Sequence, residues 1–216
     1  QGRQRHNGGR LFLACAMSYL HQDQKKVLRR TLRKRRRDLA ASERQRCTAA
    51  IAEVAAPLVE DRSGKRFACY LPNDGEMDLT RLIESLWQSD HHTFLPVLHG
   101  PRLRFLPYES GTVLRDNNFG IPEPVVDADR RCKPSALNVV LMPLVGFDER
   151  GNRLGMGGGY YDQTFAFKQR AGRSGGPLLV GIAFEFQKLD TLPFNAWDVP
   201  LDGILTESAY RHFRTG

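Results

Sequence analysis

Asn138-Val-Val-Leu-Met142 continues through Pro-Leu-Val-Gly-Phe-Asp148 and Glu-Arg-Gly-Asn into Arg153-Leu154-Gly155-Met156-Gly157-Gly158-Gly159-Tyr160-Tyr161-Asp162. After Asn138 the first residues are uniformly apolar, the composition of a strand buried on both faces. The remainder of the stretch reads as a strand end, a loop and a helix start. Four glycines remove side chains so that backbone N–H groups can close around phosphate oxygens, and the helix N-terminus behind them adds partial positive charge. Asp162 in the first turn could hold a Mg²⁺ that bridges phosphates, and Arg153 could neutralise their charge. The run is neither a G-x-x-x-x-G-K-[ST] loop nor a G-x-G-x-x-G fingerprint. Its spacing fits equally a flexible loop in which Asp162 complements the helix dipole.

Working outward, residues 24–39 lack Gly and Pro and place Leu28, Leu32 and Leu39 on one stripe amid Arg and Lys, which predicts a basic amphipathic helix. Ser42 and Gln45 have the form of a capping box, with Cys47, Ile51, Val54 and Leu58 as the apolar stripe of a second helix. Residues 67–71 read as a strand, followed by a Pro-Asn-Asp-Gly turn and a helix carrying Leu79, Leu82, Ile83 and Leu86. Strands are expected at 93–98 and 103–108, on either side of Gly100-Pro101, and a loop at about 116–136. Beyond the glycines come a helix over 160–170 and strands at 178–184 and 203–206. Such alternation implies a three-layer α/β/α fold, a mostly parallel sheet flanked by helices with a basic helix at the N-terminus.

At 216 residues, one domain over 21–216 is the simplest organisation. Arg3, Arg5 and Arg10 ahead of the apolar residues 11–17 imitate a secretory signal, but the apolar stretch is short and a second basic run comes soon after it. Residues 1–20 are therefore expected to be a leader that carries no fold. No apolar run approaches the ~18 residues of a membrane span, so no membrane partner is expected. Cysteines 15, 47, 69 and 132 are scattered and the six histidines form no ligand pattern, so reduced thiols, a cytoplasmic location and no histidine metal chemistry are expected.

Two decoys need weighing. Gly172-Arg-Ser174-Gly-Gly176 satisfies G-x-S-x-G but comes after a helix and precedes a strand, the reverse of a nucleophile elbow. The net charge of +8 and the cations at 29, 30 and 33–37 invite nucleic acid. No recognition motif accompanies them, and the same field would draw small polyanions, so no nucleic-acid partner is expected. A phosphosugar or acyl-transfer enzyme on a similar scaffold stays open at this point.

Arg153-Leu-Gly-Met-Gly-Gly-Gly-Tyr-Tyr-Asp162 resembles the signature of the 5-formyltetrahydrofolate cyclo-ligase family. So do Met142-Pro-Leu-Val-Gly-Phe-Asp148, Lys25-x-x-x-Arg29, Leu71-Pro-Asn-Asp-Gly-Glu76, Phe119-Gly-Ile-Pro-Glu-Pro124 and Leu201-Asp202-Gly, in family order over residues 24–207. The resemblance implies ATP- and Mg²⁺-dependent closure of 5-formyltetrahydrofolate, including polyglutamylated forms, to 5,10-methenyltetrahydrofolate with release of ADP and phosphate. It implies that Lys25, Arg29 and residues 153–161 contact ATP. Leu71, Glu76, Met156, Tyr160 and Phe119 would line the folate, and Asp162 and Asp202 would hold the metal. A monomer is expected. From composition alone, Lys25 and Arg29 would be a solvated helix face and Glu76 a surface turn residue. Met156 and Gly158 stand where some relatives carry basic residues, and Gln163 where many carry Arg, so the loop itself brings little charge.

Overall fold

The computed structural model describes residues 8–60, 64–170 and 175–213, with side chains for 22–60, 64–169 and 175–213. Helix α1 (Gly8–Arg37) begins well before residue 24, while residues 1–7 lie outside the described residues. Helix α2 (Ala41–Val54) starts one residue ahead of Ser42. Its N-cap is Ala40 without a side-chain bond, so the expected capping box does not form. Pro57 sits in the first turn of a separate short α3 (Ala56–Val59), which carries Leu58.

Strand β1 (Arg66–Ala68), helix α4 (Thr80–Gln88) and the hairpin of β2 (His92–His99) and β3 (Arg102–Tyr108) come next. A small hairpin, β4 (Leu114–Asp116) with β5 (Pro122–Pro124), occupies the expected loop. Strand β6 (Val139–Pro143) leads to the two-residue pair β7 (Gly146–Phe147) and β8 (Arg153–Leu154). The expected helix over 160–170 divides at Ala166 into α5 (Tyr160–Phe165) and α6 (Phe167–Arg170). Strands β9 (Leu178–Ile182), β10 (Gly203–Leu205) and β11 (Tyr210–His212) complete the order.

The main sheet runs β11-β10-β9-β6-β1-β2-β3, parallel from β10 to β2 with antiparallel edges β11 and β3. Alternation along β6 sets its layers. Val139 and Leu141 join one core with Ile51, Leu58, Leu82 and Leu86 of α2–α4. Val140 and Met142 join the other with Phe165, Val199 and Leu201. Each strand residue is thus covered by an apolar layer, as the composition of residues 139–142 requires. From β1 the chain moves outward to β2 and β3, then returns to β6 on the other side of β1. This reversal makes the carboxyl ends of β1 and β6 a topological switch point, where open α/β sheets form ligand crevices.

Candidate functional site

A cavity of about 1000 Å³ opens at that switch point. Its floor is the glycine run carried from β6 by β7 and β8. One wall comes from the turn after β1, with Leu71 and Glu76, and from the β4–β5 hairpin with Phe119. The opposite wall is the connection from β9 to β10, with Asn195, Trp197 and Asp198, and α1 contributes Lys25 and Arg29.

Helix α1 crosses the cavity with one stripe of cations at i, i+4, i+8 and i+11. Lys25, only 8% exposed, pairs through Nζ with Asp198 Oδ2 at 3.1 Å. Arg29 Nε donates to the Gly155 carbonyl at 2.8 Å. Burial lowers its pKa below the ordinary value while Asp198 pulls the other way. Arg33 and Arg36 meet Asp74 Oδ2 at 2.7 and 2.8 Å, and Arg37 meets Oδ1 at 2.9 Å. Arg36, 1% exposed, also donates to the carbonyls of Asp74 at 3.0 Å and Leu144 at 3.2 Å. Part of the basic run is therefore interior structure, and Lys25 is not on a solvated face. Leu32 seats the helix between these contacts, packed with Val145, Leu154 and Leu192. A Cβ on Gly146 would meet Leu32 Cδ1 at 2.9 Å, so only glycine admits the helix this closely.

Within the run, Gly157 at φ 110° and Gly159 at φ 66° hold left-handed conformations that cost other residues strain. A Cβ on Gly158 would collide with the Tyr160 ring at 2.6 Å. The loop shape is thus set by glycine, and Arg29 holds it by the Gly155 carbonyl. With only six residues, α5 aligns few peptide dipoles, so its N-terminus adds less field than a long helix would. Met156 is exposed over the cavity, whereas Leu154 faces the core.

Arg153 Nη2 pairs with Asp162 Oδ1 at 2.6 Å, and its Nη1 donates to the Val199 carbonyl. Val199 N–H donates to the same Asp162 oxygen at 2.9 Å. Asp162 and Asp198 therefore lie on linked parts of one wall. Asp202 does not join them. It precedes β10, at the amino end of the parallel strands, and its Oδ2 accepts from Lys168 Nζ at 2.7 Å and Leu179 N–H at 2.8 Å. The family resemblance pairs Asp202 with Asp162 as a metal ligand; the strand polarity puts it at the opposite edge of the sheet, outside the cavity lining. Asp198 is the acidic residue that the sequence reading passed over. It lies after β9 in a crossover that must start from the carboxyl edge, a signal legible once the strand order is known.

Glu76 has a side chain 11% exposed, 3.7 Å from Arg36 Nη1, and accepts from Asn73 N–H at 3.1 Å. Desolvation raises its pKa from 4.5 to about 7, with Arg36 opposing. Asp74 moves the other way, its Arg33 hydrogen bond holding it far below the usual carboxylate range. Tyr161, stacked 6.4 Å from Phe165, has its phenol pushed up by burial and by Glu76. Phe119 stands exposed at the hairpin tip, where Asn117 Oδ1 accepts its N–H at 2.8 Å.

Among the described residues no three His, Cys, Asp or Glu converge on a metal position. Two carboxylates still suit Mg²⁺, which commonly takes one or two and leaves its other positions to phosphate oxygens and water. Cys47, Cys69 and Cys132 are buried free thiols. Most of the Gly172–Gly176 run lies outside the described residues, and no described helix is long and apolar enough to cross a membrane.

The chain is 38% identical over 189 residues to the 5-formyltetrahydrofolate cyclo-ligase of Haemophilus influenzae, covering 86% of this chain and 99% of that protein. It is 41% identical over 144 residues to the Escherichia coli K12 protein of that name, covering 65% and 77%. The solved structure of Aquifex aeolicus 5,10-methenyltetrahydrofolate synthetase superposes with a TM-score of 0.75 at 33% identity, over 89% of this chain and 94% of that one. The sequence model of the 5-formyltetrahydrofolate cyclo-ligase family matches residues 21–207, a span that takes in the cationic stripe of α1, the glycine run and both cavity walls, and the chain belongs to that family.

Proposed function

We propose that the cavity binds ATP with Mg²⁺ beside 5-formyltetrahydrofolate and closes the folate ring to 5,10-methenyltetrahydrofolate, releasing ADP and phosphate. The observation that carries this reading is the convergence of Lys25, Arg29, Arg153 and the glycine run with the partly buried Glu76 in one cavity. Its volume is at the upper end for single-ligand pockets, which suits two substrates side by side.

The chemistry asks for positioning more than for a nucleophile. A formyl oxygen on nitrogen is a poor leaving group. Transfer of the γ-phosphoryl to that oxygen makes it a good one, N10 then attacks the formyl carbon, and phosphate departs with the oxygen as the N10 proton is lost. Backbone N–H groups of residues 155–159 shape the phosphates, while Lys25, Arg29 and Arg153 offset their charge. Glu76 and Leu71 hold the pterin from the β1 wall, with Met156, Tyr160 and Phe119 against its apolar faces. Asp162 and Asp198 would hold Mg²⁺, which would supply neutralisation of the polyphosphate charge. Lys25 and Arg153 already face those carboxylates, so the same cations serve protein and nucleotide. The reading includes a cytoplasmic monomer; the three described cysteines are buried free thiols, which suits a reducing compartment.

The test is incubation of the purified chain with 5-formyltetrahydrofolate and Mg²⁺, with and without ATP, following the near-ultraviolet band of the methenyl product. Substrate labelled with ¹⁸O at the formyl oxygen should deliver the label to released phosphate. Product formed without ATP, or unlabelled phosphate, refutes the scheme.

A further inference from the structure

We infer that Trp197 is the stacking platform for the purine ring of the nucleotide, an assignment that rests on the ATP reading above. The indole is 66% exposed and lines the cavity. Exposing so large an apolar surface forgoes favourable burial, and a loosely held loop would be its simplest explanation. The segment is instead tightly held. Asp198 N–H donates to the Asn195 carbonyl at 3.0 Å, closing a turn with Ala196 and Trp197 at its tip. Asp198 Oδ2 fastens the turn internally by accepting Asn195 N–H at 2.8 Å, and ties it to α1 through Lys25. Gln169 Nε2 donates to the carbonyls on either side of Trp197, at 3.2 Å to Ala196 and 3.1 Å to Asp198. Val199 is bound on both sides by Asp162 and Arg153. The ring is presented by a preorganised frame, which suits a binding platform.

The topology says which heteroaromatic ring it meets. Leu71, Glu76 and Phe119 come from the β1–β3 half of the sheet, and the glycine run from β6 at the centre. Trp197 comes from the β9–β10 half, and its neighbour Asp198 pairs with Lys25. A polyphosphate on the glycine run, with the folate toward β1, leaves its base toward β9 and β10. Stacking on an indole is tolerant of base identity, so purines should outrank pyrimidines by ring area rather than by hydrogen-bond pattern.

The experiment combines titration with kinetics. Trp87, the other tryptophan, bonds Thr93 Oγ1 at 2.8 Å and is not part of the cavity lining, so fluorescence change on ligand binding reports Trp197. Without folate present, MgATP should quench the wild-type emission and inorganic tripolyphosphate should not; W197F should abolish the quench. In turnover, W197L should raise KM for ATP about tenfold, the effect of one lost base stack, with kcat and KM for 5-formyltetrahydrofolate unchanged, and W197F should restore most of the loss. An equal quench by tripolyphosphate, an unchanged KM for ATP in W197L, or a rise confined to the folate KM would each overturn the assignment. Turnover without any need for ATP would refute the functional reading instead, while the folate-free titration still reads the base contact.

Discussion

Arg153 and Asp162 close a 2.6 Å ion pair across the glycine run, and the same Asp162 oxygen accepts the Val199 N–H. An amide can keep both acceptor contacts while giving up the charge. D162N also strips the carboxylate from Arg153, whose side chain is 6% exposed, so it should lower the melting temperature and, where it is folded, lose on the order of 100-fold in kcat/KM for MgATP, the scale of one electrostatic group at a transferring phosphoryl. Kinetics at limiting Mg²⁺ read this directly, and unchanged turnover there would remove Asp162 from the metal.

D202N should share the loss of stability and spare nucleotide use. Asp202 neutralises Lys168, which is 5% exposed, so the change leaves a buried ammonium without its carboxylate. A loss of roughly 3 kcal/mol in urea unfolding is expected, with KM for MgATP unaltered at temperatures where the variant is folded. A shift in Mg²⁺ dependence would return Asp202 to the site.

Glu76 predicts a pH effect on stability. Its pKa is raised in the folded chain from 4.5 to about 7, so between those values the folded state holds more proton than the unfolded. The contribution is fully present below pH 4.5 and lost as pH rises through 7, up to ~3 kcal/mol across the window. In E76Q the melting temperature should fall less between pH 5 and 8 than in wild type. Asp74, shifted downward, contributes above its ordinary range and is lost only as pH falls below it, so it does not confuse this window.

Two alanine substitutions separate backbone strain from space. A Cβ on Gly155 meets nothing within 4 Å and its φ is not left-handed, so G155A should leave the melting temperature unchanged. Gly157 also has room, its nearest contact being Arg29 Cζ at 3.6 Å, but sits at φ 110°. G157A should cost about 1–2 kcal/mol, read by thermal melting, and raise KM for ATP as the loop shifts.

Much of this was legible in the chain. Residues 139–142 read as a doubly buried strand because their apolar run has no polar face to spare, and the cationic stripe of α1 comes from its spacing. Pro122 and Pro124 concealed β5. Both lie in an isolated two-stranded pair, where a missing N–H is tolerated, yet in sequence they read as breakers. The Glu185–Arg211 pair and edge strand β11 depend on tertiary pairing that no local pattern announces. Motif order along the chain carries no information on strand polarity, and strand polarity decides where Asp202 lies.

The four cations of the α1 stripe find three partners on separate walls: Asp198 after β9, Gly155 after β8 and Asp74 after β1 for both Arg33 and Arg36. A single residue inserted between Lys25 and Arg36 would turn one end of the helix by about 100° against the other. Either the nucleotide end or the Asp74 end would then face away from its partner. The helix is phase-locked, so its side chains can drift in evolution far more easily than its length can.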